Sequence, residues 1–153
     1  MMCNAAVVDI GSNTIRMVAY HLEKQSITAF YEQTEHAGLY SYRRGDLLDE
    51  AGTRLLVNTA LSMKQAAYKA GCETVRFFAT ASLRGLLNLP DILRRFEQRC
   101  GLPLRLLSAS EEAECDFLGL AAENGLLDFT GCDLGGGSAQ IVDVLGYGQA
   151  VTK

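Results

Sequence analysis

Two turns of the same make constrain this chain more than any other feature. Asp9-Ile10-Gly11-Ser12-Asn13-Thr14-Ile15-Arg16 lies between two apolar runs, and Asp133-Leu134-Gly135-Gly136-Gly137-Ser138-Ala139-Gln140 repeats the arrangement. Each has an aspartate at the end of an apolar run, then glycine, then serine, then a second apolar run. Glycine permits a tight turn and close backbone approach to a ligand. Successive backbone N–H groups in such a turn form an anion-binding concavity. Ser12, Asn13 and Thr14 add side-chain donors to the first turn. An ordinary hairpin turn also favours Gly, Ser and Asn, so the first turn alone leaves both readings open. Three consecutive glycines are more than a hairpin needs, and they carry an entropic cost between strands. Neither turn is a Walker loop, because no Gly-Lys-Ser/Thr follows.

The chain between the turns predicts alternating strands and helices. Ala5–Ile10, Ile15–Leu22 and Ser26–Thr34 read as three strands joined by short turns, an antiparallel meander. Residues 37–46 read as a loop. Asp49–Ala70 reads as a helix, with Asp49 as its cap and Gly71 as its terminator. Thr74–Ala79 is a strand, Ser82–Leu87 a short helix, Pro90–Cys100 a helix and Pro103–Leu107 a strand. Ser110–Asn124 is a helix with Ser110 as N-cap; Ala113 stands where a capping box would need Glu, so the cap is partial. Phe129–Leu134, Ser138–Leu145 and Gln149–Lys153 read as strands that begin the first pattern again. The order predicts an α/β fold: a mixed sheet with helices on both faces.

Composition narrows the function. The 153 residues suit one ordinary domain, 48% are apolar, and the net charge is −4 without a Lys/Arg cluster. A nucleic-acid partner held by a basic face is therefore not expected. An anionic ligand would have to be held locally. No apolar run approaches the ~18 residues of a membrane span, so no membrane association is expected. Met1–Ile10 lacks the basic and long apolar regions of a signal peptide, and a cytoplasmic location is the expectation. Cys3, Cys72, Cys100, Cys115 and Cys132 are scattered without C-x-x-C spacing, and read as small thiols rather than a zinc site or disulfide framework.

Four segments, in order, resemble the exopolyphosphatase/guanosine pentaphosphate phosphohydrolase (Ppx/GppA) family. The first turn resembles the family's first phosphate motif. Ala79-Thr80-Ala81-Ser82-Leu83-Arg84 is similar to its Thr-Ser-Ala-Leu-Arg segment. Leu106-Leu107-Ser108-Ala109-Ser110-Glu111-Glu112-Ala113 resembles its Ile-Ser-Gly-x-Glu-Glu-Ala segment. The second turn resembles its second phosphate motif, Asp-Ile-Gly-Gly-Gly-Ser-Thr-Glu. The resemblance implies an actin-like (ribonuclease H-like, ASKHA) fold, with a first lobe at 1–125 and the opening strands of a second, incomplete lobe at 126–153. It implies phosphoanhydride hydrolysis, with inorganic polyphosphate or a phosphorylated guanine nucleotide, guanosine pentaphosphate, as partner and substrate.

Site roles follow from the same resemblance. Glu112 is the catalytic carboxylate that activates water; read without the family, Glu111 and Glu112 would merely favour a helix N-terminus. Glu111 is expected to be a solvated first-turn charge. Gly11, Ser12, Asn13, Thr14, Arg16, Arg84, Gly135, Gly136, Gly137 and Ser138 would bind phosphate. Asp9 and Asp133 would hold Mg²⁺, directly or through water. Gln140 stands where the family has Glu, although related apyrases use Gln at the similar place. The family's Arg-Leu-Gly-Glu-Gly-Leu segment is degraded to Glu35-His36-Ala37-Gly38-Leu39-Tyr40, and Tyr40, Tyr42, Arg43 and Arg44 carry no assigned role. A homodimer that completes a cleft is one expectation. The rival expectations are a non-catalytic phosphate- or nucleotide-binding lobe, an inactive truncated paralogue, and a sugar or acetate kinase of the same fold. The Ser-x-Glu-Glu-Ala segment argues against the kinase.

Overall fold

A computed structural model describes residues 3–24, 26–124, 129–134, 139–144 and 150–152. β1 (Cys3–Ile10), β2 (Ile15–Leu22) and β3 (Ile27–Glu35) form the expected meander. β1 alternates buried Ala6, Val8 and Ile10 with exposed Val7 and Asp9, the period of a strand with one covered face. β1 and β2 stay in register to the pair Ile10–Ile15, so the connecting loop is Gly11–Thr14. β6 (Thr74–Ala79) and β7 (Leu104–Leu106) continue the sheet on the other side of β1, in the order β3-β2-β1-β6-β7. β1, β6 and β7 are mutually parallel, whereas β2 runs antiparallel to both its neighbours.

α1 (Glu50–Lys69) and α2 (Leu89–Cys100) cover one face of this sheet. Asp49 caps α1 as expected, its side chain accepting from the Gly52 N–H at 2.8 Å. Gly71 ends the helix region with φ of 90°, a conformation only glycine takes without strain. Leu56, Ala60 and Met63 of α1 and Ile92 and Phe96 of α2 are fully buried against Val8, Ile10, Met17 and Phe77. Phe77 and Phe96 meet edge to face at 5.0 Å. Each such side chain contributes roughly 1.5–3 kcal/mol through burial.

The mixed sheet with helices is as expected, and α1 and α2 share one of its faces. On the other face Val7 is 38% exposed, and α3 (Ala109–Asn124) packs with β8 (Phe129–Leu134), β9 (Ala139–Val144) and β10 (Ala150–Thr152) instead. These three strands form a separate antiparallel sheet in the order β10-β9-β8. No described helix is long and apolar enough to cross a membrane.

Two local expectations need correction. The loop at 37–46 contains a 3₁₀ turn, Leu39–Tyr42, and a small hairpin of β4 (Arg43–Arg44) and β5 (Leu47–Leu48). The expected helix at Ser82–Leu87 is a single 3₁₀ turn, Ala81–Leu83, that opens out at Arg84. Gly85, with φ of 74°, breaks it.

Candidate phosphate site at the carboxyl edge of the sheet

Because β1, β6 and β7 are parallel, their carboxyl ends share one edge of the sheet. In open α/β sheets this is where ligands bind. Three of the recognised segments meet there: the loop Gly11–Thr14 after β1, the turn Thr80–Arg84 after β6, and Ser108–Glu112 at the start of α3 after β7.

The first loop is held by its own backbone and by the segment that follows β3. The Gly11 N–H donates to the Thr14 carbonyl at 2.9 Å. Gly38 N–H donates to the Asn13 carbonyl at 2.8 Å, and Tyr40 N–H to the Ser12 carbonyl at 3.1 Å. Carbonyls are thus consumed from behind. Among the described residues no backbone bond takes the N–H groups of Ser12, Asn13 or Thr14. That polarity suits an anion. The Ser82 hydroxyl, which the sequence reading had not placed in the site, donates to the Ile10 carbonyl at 2.6 Å and pins the second segment against the base of the loop. The signal was present, since Ser82 lies within the recognised Thr-Ala-Ser-Leu-Arg run.

α3 begins at Ala109, one residue before the expected start, and its cap is complete rather than partial. The Glu111 N–H donates to Ser108 Oγ at 3.2 Å, and the Ser108 N–H donates to Glu111 Oε2 at 2.9 Å. This is a capping box with Ser108 and Glu111 as its two ends. Arg105 also pairs with Glu111. Glu111 is therefore not a merely solvated charge. The Ser108 N–H and hydroxyl, then Arg105, hold its carboxyl below the usual range.

With Glu111 facing back to its cap, Glu112 turns into the protein and is 7% exposed. Its Oε2 lies 2.6 Å from Arg84 Nη1. Arg84 Nη1 also donates to the Leu107 carbonyl at 3.3 Å. The contact with Glu112 is an ion pair without hydrogen-bond alignment, because Oε2 accepts no hydrogen bond among the described residues. A buried carboxylate oxygen short of a donor is costly unless a water or ligand satisfies it. The structure thus brings together Gly11–Thr14, Arg84 and Glu112 at one edge.

Other expected residues are placed differently. Arg16, on β2 opposite Asp9, pairs with Glu32 of β3 at 2.8 Å across the exposed sheet face, which engages it laterally rather than toward the loop. Asp9 is an exposed carboxylate one residue from the end of β1. A Mg²⁺ ion keeps several waters and takes one or two carboxylates together with substrate phosphate oxygens. An accessible carboxylate beside a phosphate loop fits that pattern. No group of three His, Cys, Asp or Glu among the described residues forms a closed metal cage. Asp133 and Gln140 face each other across β8 and β9. Gly135, Gly136, Gly137 and Ser138 lie outside the described residues.

A groove of about 460 Å³ between α1 and α2 contains Arg54, Arg95 and Arg99. Arg54 and Arg95 are already paired with Glu50 and Asp91. The chemistry-bearing segments favour the edge over the groove.

Comparison with known proteins bears on the fold and the family. A structure of an Aquifex aeolicus Ppx/GppA family member superposes with a TM-score of 0.85 at 20% identity, covering 100% of this chain and 51% of that one. An exopolyphosphatase structure from Cytophaga hutchinsonii gives 0.87 at 16% identity, covering 97% and 48%. These likenesses establish the actin-like fold. An uncharacterised protein of Streptomyces coelicolor is 30% identical over 141 residues, which are 89% of this chain and 41% of that protein. The chain spans about half the length of such relatives, or less. The profile of the Ppx/GppA phosphatase family matches residues 7–153, and the chain belongs to that family.

Proposed function

We propose that this chain is the phosphate-gripping part of a phosphoanhydride hydrolase that releases terminal phosphate, with inorganic polyphosphate as first-choice substrate and guanosine pentaphosphate as second. The observation that carries the proposal is Glu112: a buried carboxylate at the carboxyl edge whose Oε2 lies 2.6 Å from Arg84 Nη1. In this reading the N–H groups of Ser12, Asn13 and Thr14 cradle the terminal phosphate. Arg84 turns from Glu112 to the phosphate oxygens, where its planar fork suits the anion. Glu112 Oε2 then accepts a proton from a water whose oxygen attacks phosphorus in line. The phosphorus–oxygen bond to the remaining chain breaks, and the shortened chain leaves with the electron pair. Positioning and charge stabilisation carry the rate, as for phosphoryl transfer generally. Asp9 and Asp133 are the carboxylates that would hold Mg²⁺, which would neutralise charge on the phosphate oxygens.

Orthophosphate release from long-chain polyphosphate in the presence of Mg²⁺ tests the reading, comparing wild type with Glu112→Gln. A general base is worth on the order of 100-fold or more, so the variant should fall by at least that factor while still binding. Equal release by the two proteins would overturn the role of Glu112. Binding without release by wild type would assign the chain to the non-catalytic reading.

A further inference from the structure

We infer that Arg43 is a further phosphate-facing cation of this edge, one that takes the phosphate group next to the one held by Arg84. The inference rests on the phosphate-site reading and extends it from a single phosphate to a polyanionic chain. Its starting point is the strap formed by residues 38–48, which is bound to the site at both ends. At one end Gly38 and Tyr40 donate to the carbonyls of Asn13 and Ser12 in the phosphate loop. At the other, Leu87 N–H donates to the Asp46 carbonyl at 2.8 Å. The Asn88 side chain clamps Leu48 twice: Oδ1 accepts from the Leu48 N–H at 3.2 Å, and Nδ2 donates to the Leu48 carbonyl at 2.8 Å. The strap therefore runs from the phosphate loop to the segment that follows Arg84.

Arg43 sits midway along this strap and reaches that segment. Its Nη2 lies 4.0 Å from the point where a Cβ on Gly85 would stand, beside the residue that follows Arg84. Its Nε donates to the Gly45 carbonyl at 3.1 Å, which fixes the plane of the guanidinium. The terminal N–H groups are left over, and they form the fork that matches two oxygens of a phosphate.

Charge bookkeeping separates Arg43 from its neighbours. Arg16 pairs with Glu32, Arg44 with Asp49, Arg84 with Glu112 and Arg105 with Glu111. Arg43 forms no ion pair with any described residue, although it is only partly exposed. A partly exposed guanidinium without a counter-charge is available to an incoming anion. Two guanidiniums carried by adjoining segments would together attract a multiply charged ligand.

The test is equilibrium binding of orthophosphate and of tripolyphosphate to the full chain, with wild type, Arg43→Gln, Arg43→Lys and Arg44→Gln. Loss of one charge-assisted contact should weaken tripolyphosphate roughly tenfold in Arg43→Gln. Orthophosphate, which reaches only the Arg84 end, should change by less than about twofold. Arg43→Lys keeps the charge and should recover part of the loss, and Arg44→Gln should bind as wild type. Lys at this position also separates lost charge from lost folding, since both Arg43 variants remove the same bond to Gly45. Arg43→Gln that binds tripolyphosphate as wild type does would overturn the role of Arg43 and leave the site reading standing. Equal weakening of both ligands would overturn the second-phosphate assignment. Wild type that binds neither ligand would overturn the site reading, and the role of Arg43 with it.

Discussion

Gly52 stands in the first turn of α1, where helix propensity alone would favour alanine by about 1 kcal/mol. The structure reverses that sign. A Cβ on Gly52 would stand 2.5 Å from Tyr42 Cβ, 2.8 Å from Leu48 Cδ1 and 3.1 Å from Leu48 Cγ. Leu48 can change rotamer, but a Cβ moves only with its backbone. Tyr42 is held there by the Asp49 N–H, which donates to its carbonyl at 2.9 Å. Relieving the contact requires the strap to shift by about 1 Å, and overpacking of this kind costs roughly 1–3 kcal/mol. After the propensity gain, Gly52→Ala should lose up to about 2 kcal/mol, and its melting temperature should fall by up to roughly 4–8 °C for a domain of this size. Gly119, in α3, supplies the control, because a Cβ there meets nothing within 4 Å among the described residues. Gly119→Ala should therefore raise the melting temperature by about 2–4 °C. Thermal melts followed by far-ultraviolet circular dichroism measure both. A Gly52→Ala protein that melts at or above wild type would refute the close packing of strap on helix.

Three further outcomes follow from particular contacts. Ser82→Ala removes the 2.6 Å bond to the Ile10 carbonyl and should cost about 1–2 kcal/mol in urea unfolding, with no loss expected if that bond is absent. Arg84→Met leaves the Glu112 carboxylate buried without its partner, so it should be the more destabilising member of the pair with Glu112→Gln; the reverse order would contradict the burial of Glu112. The folded-state pKa of Glu111 lies below its unfolded value, so its contribution is fully present above the ordinary carboxylate range and is lost as pH falls through the depressed value. Ser108→Ala should consequently lose less stability than wild type on acidification, as read from urea midpoints across that window.

Much of the frame was legible because it depends on local pattern. Alternating burial in β1 follows from Ala6, Val8 and Ile10, and the Asp49 cap follows from side-chain chemistry at a helix start. The start of α3 was equally legible through the Ser108–Glu111 spacing, but Ser110 offered a competing cap two residues later and the choice between them needed the structure. The clamp of Asn88 on Leu48 spans 40 residues, and no local rule foretells it. The same holds for the pairing of Arg16 with Glu32, which depends on strand register, and for the ion pair that joins the two recognised residues Arg84 and Glu112.

The claim at the centre is that one edge of the sheet is the phosphate site. Amide chemical-shift mapping with tripolyphosphate tests it most directly. The perturbed amides should cluster at Gly11–Thr14, Thr80–Arg84 and Ser108–Glu112, with Arg43 among them. Shifts confined to the groove of Arg54, Arg95 and Arg99, with that edge silent, would contradict it.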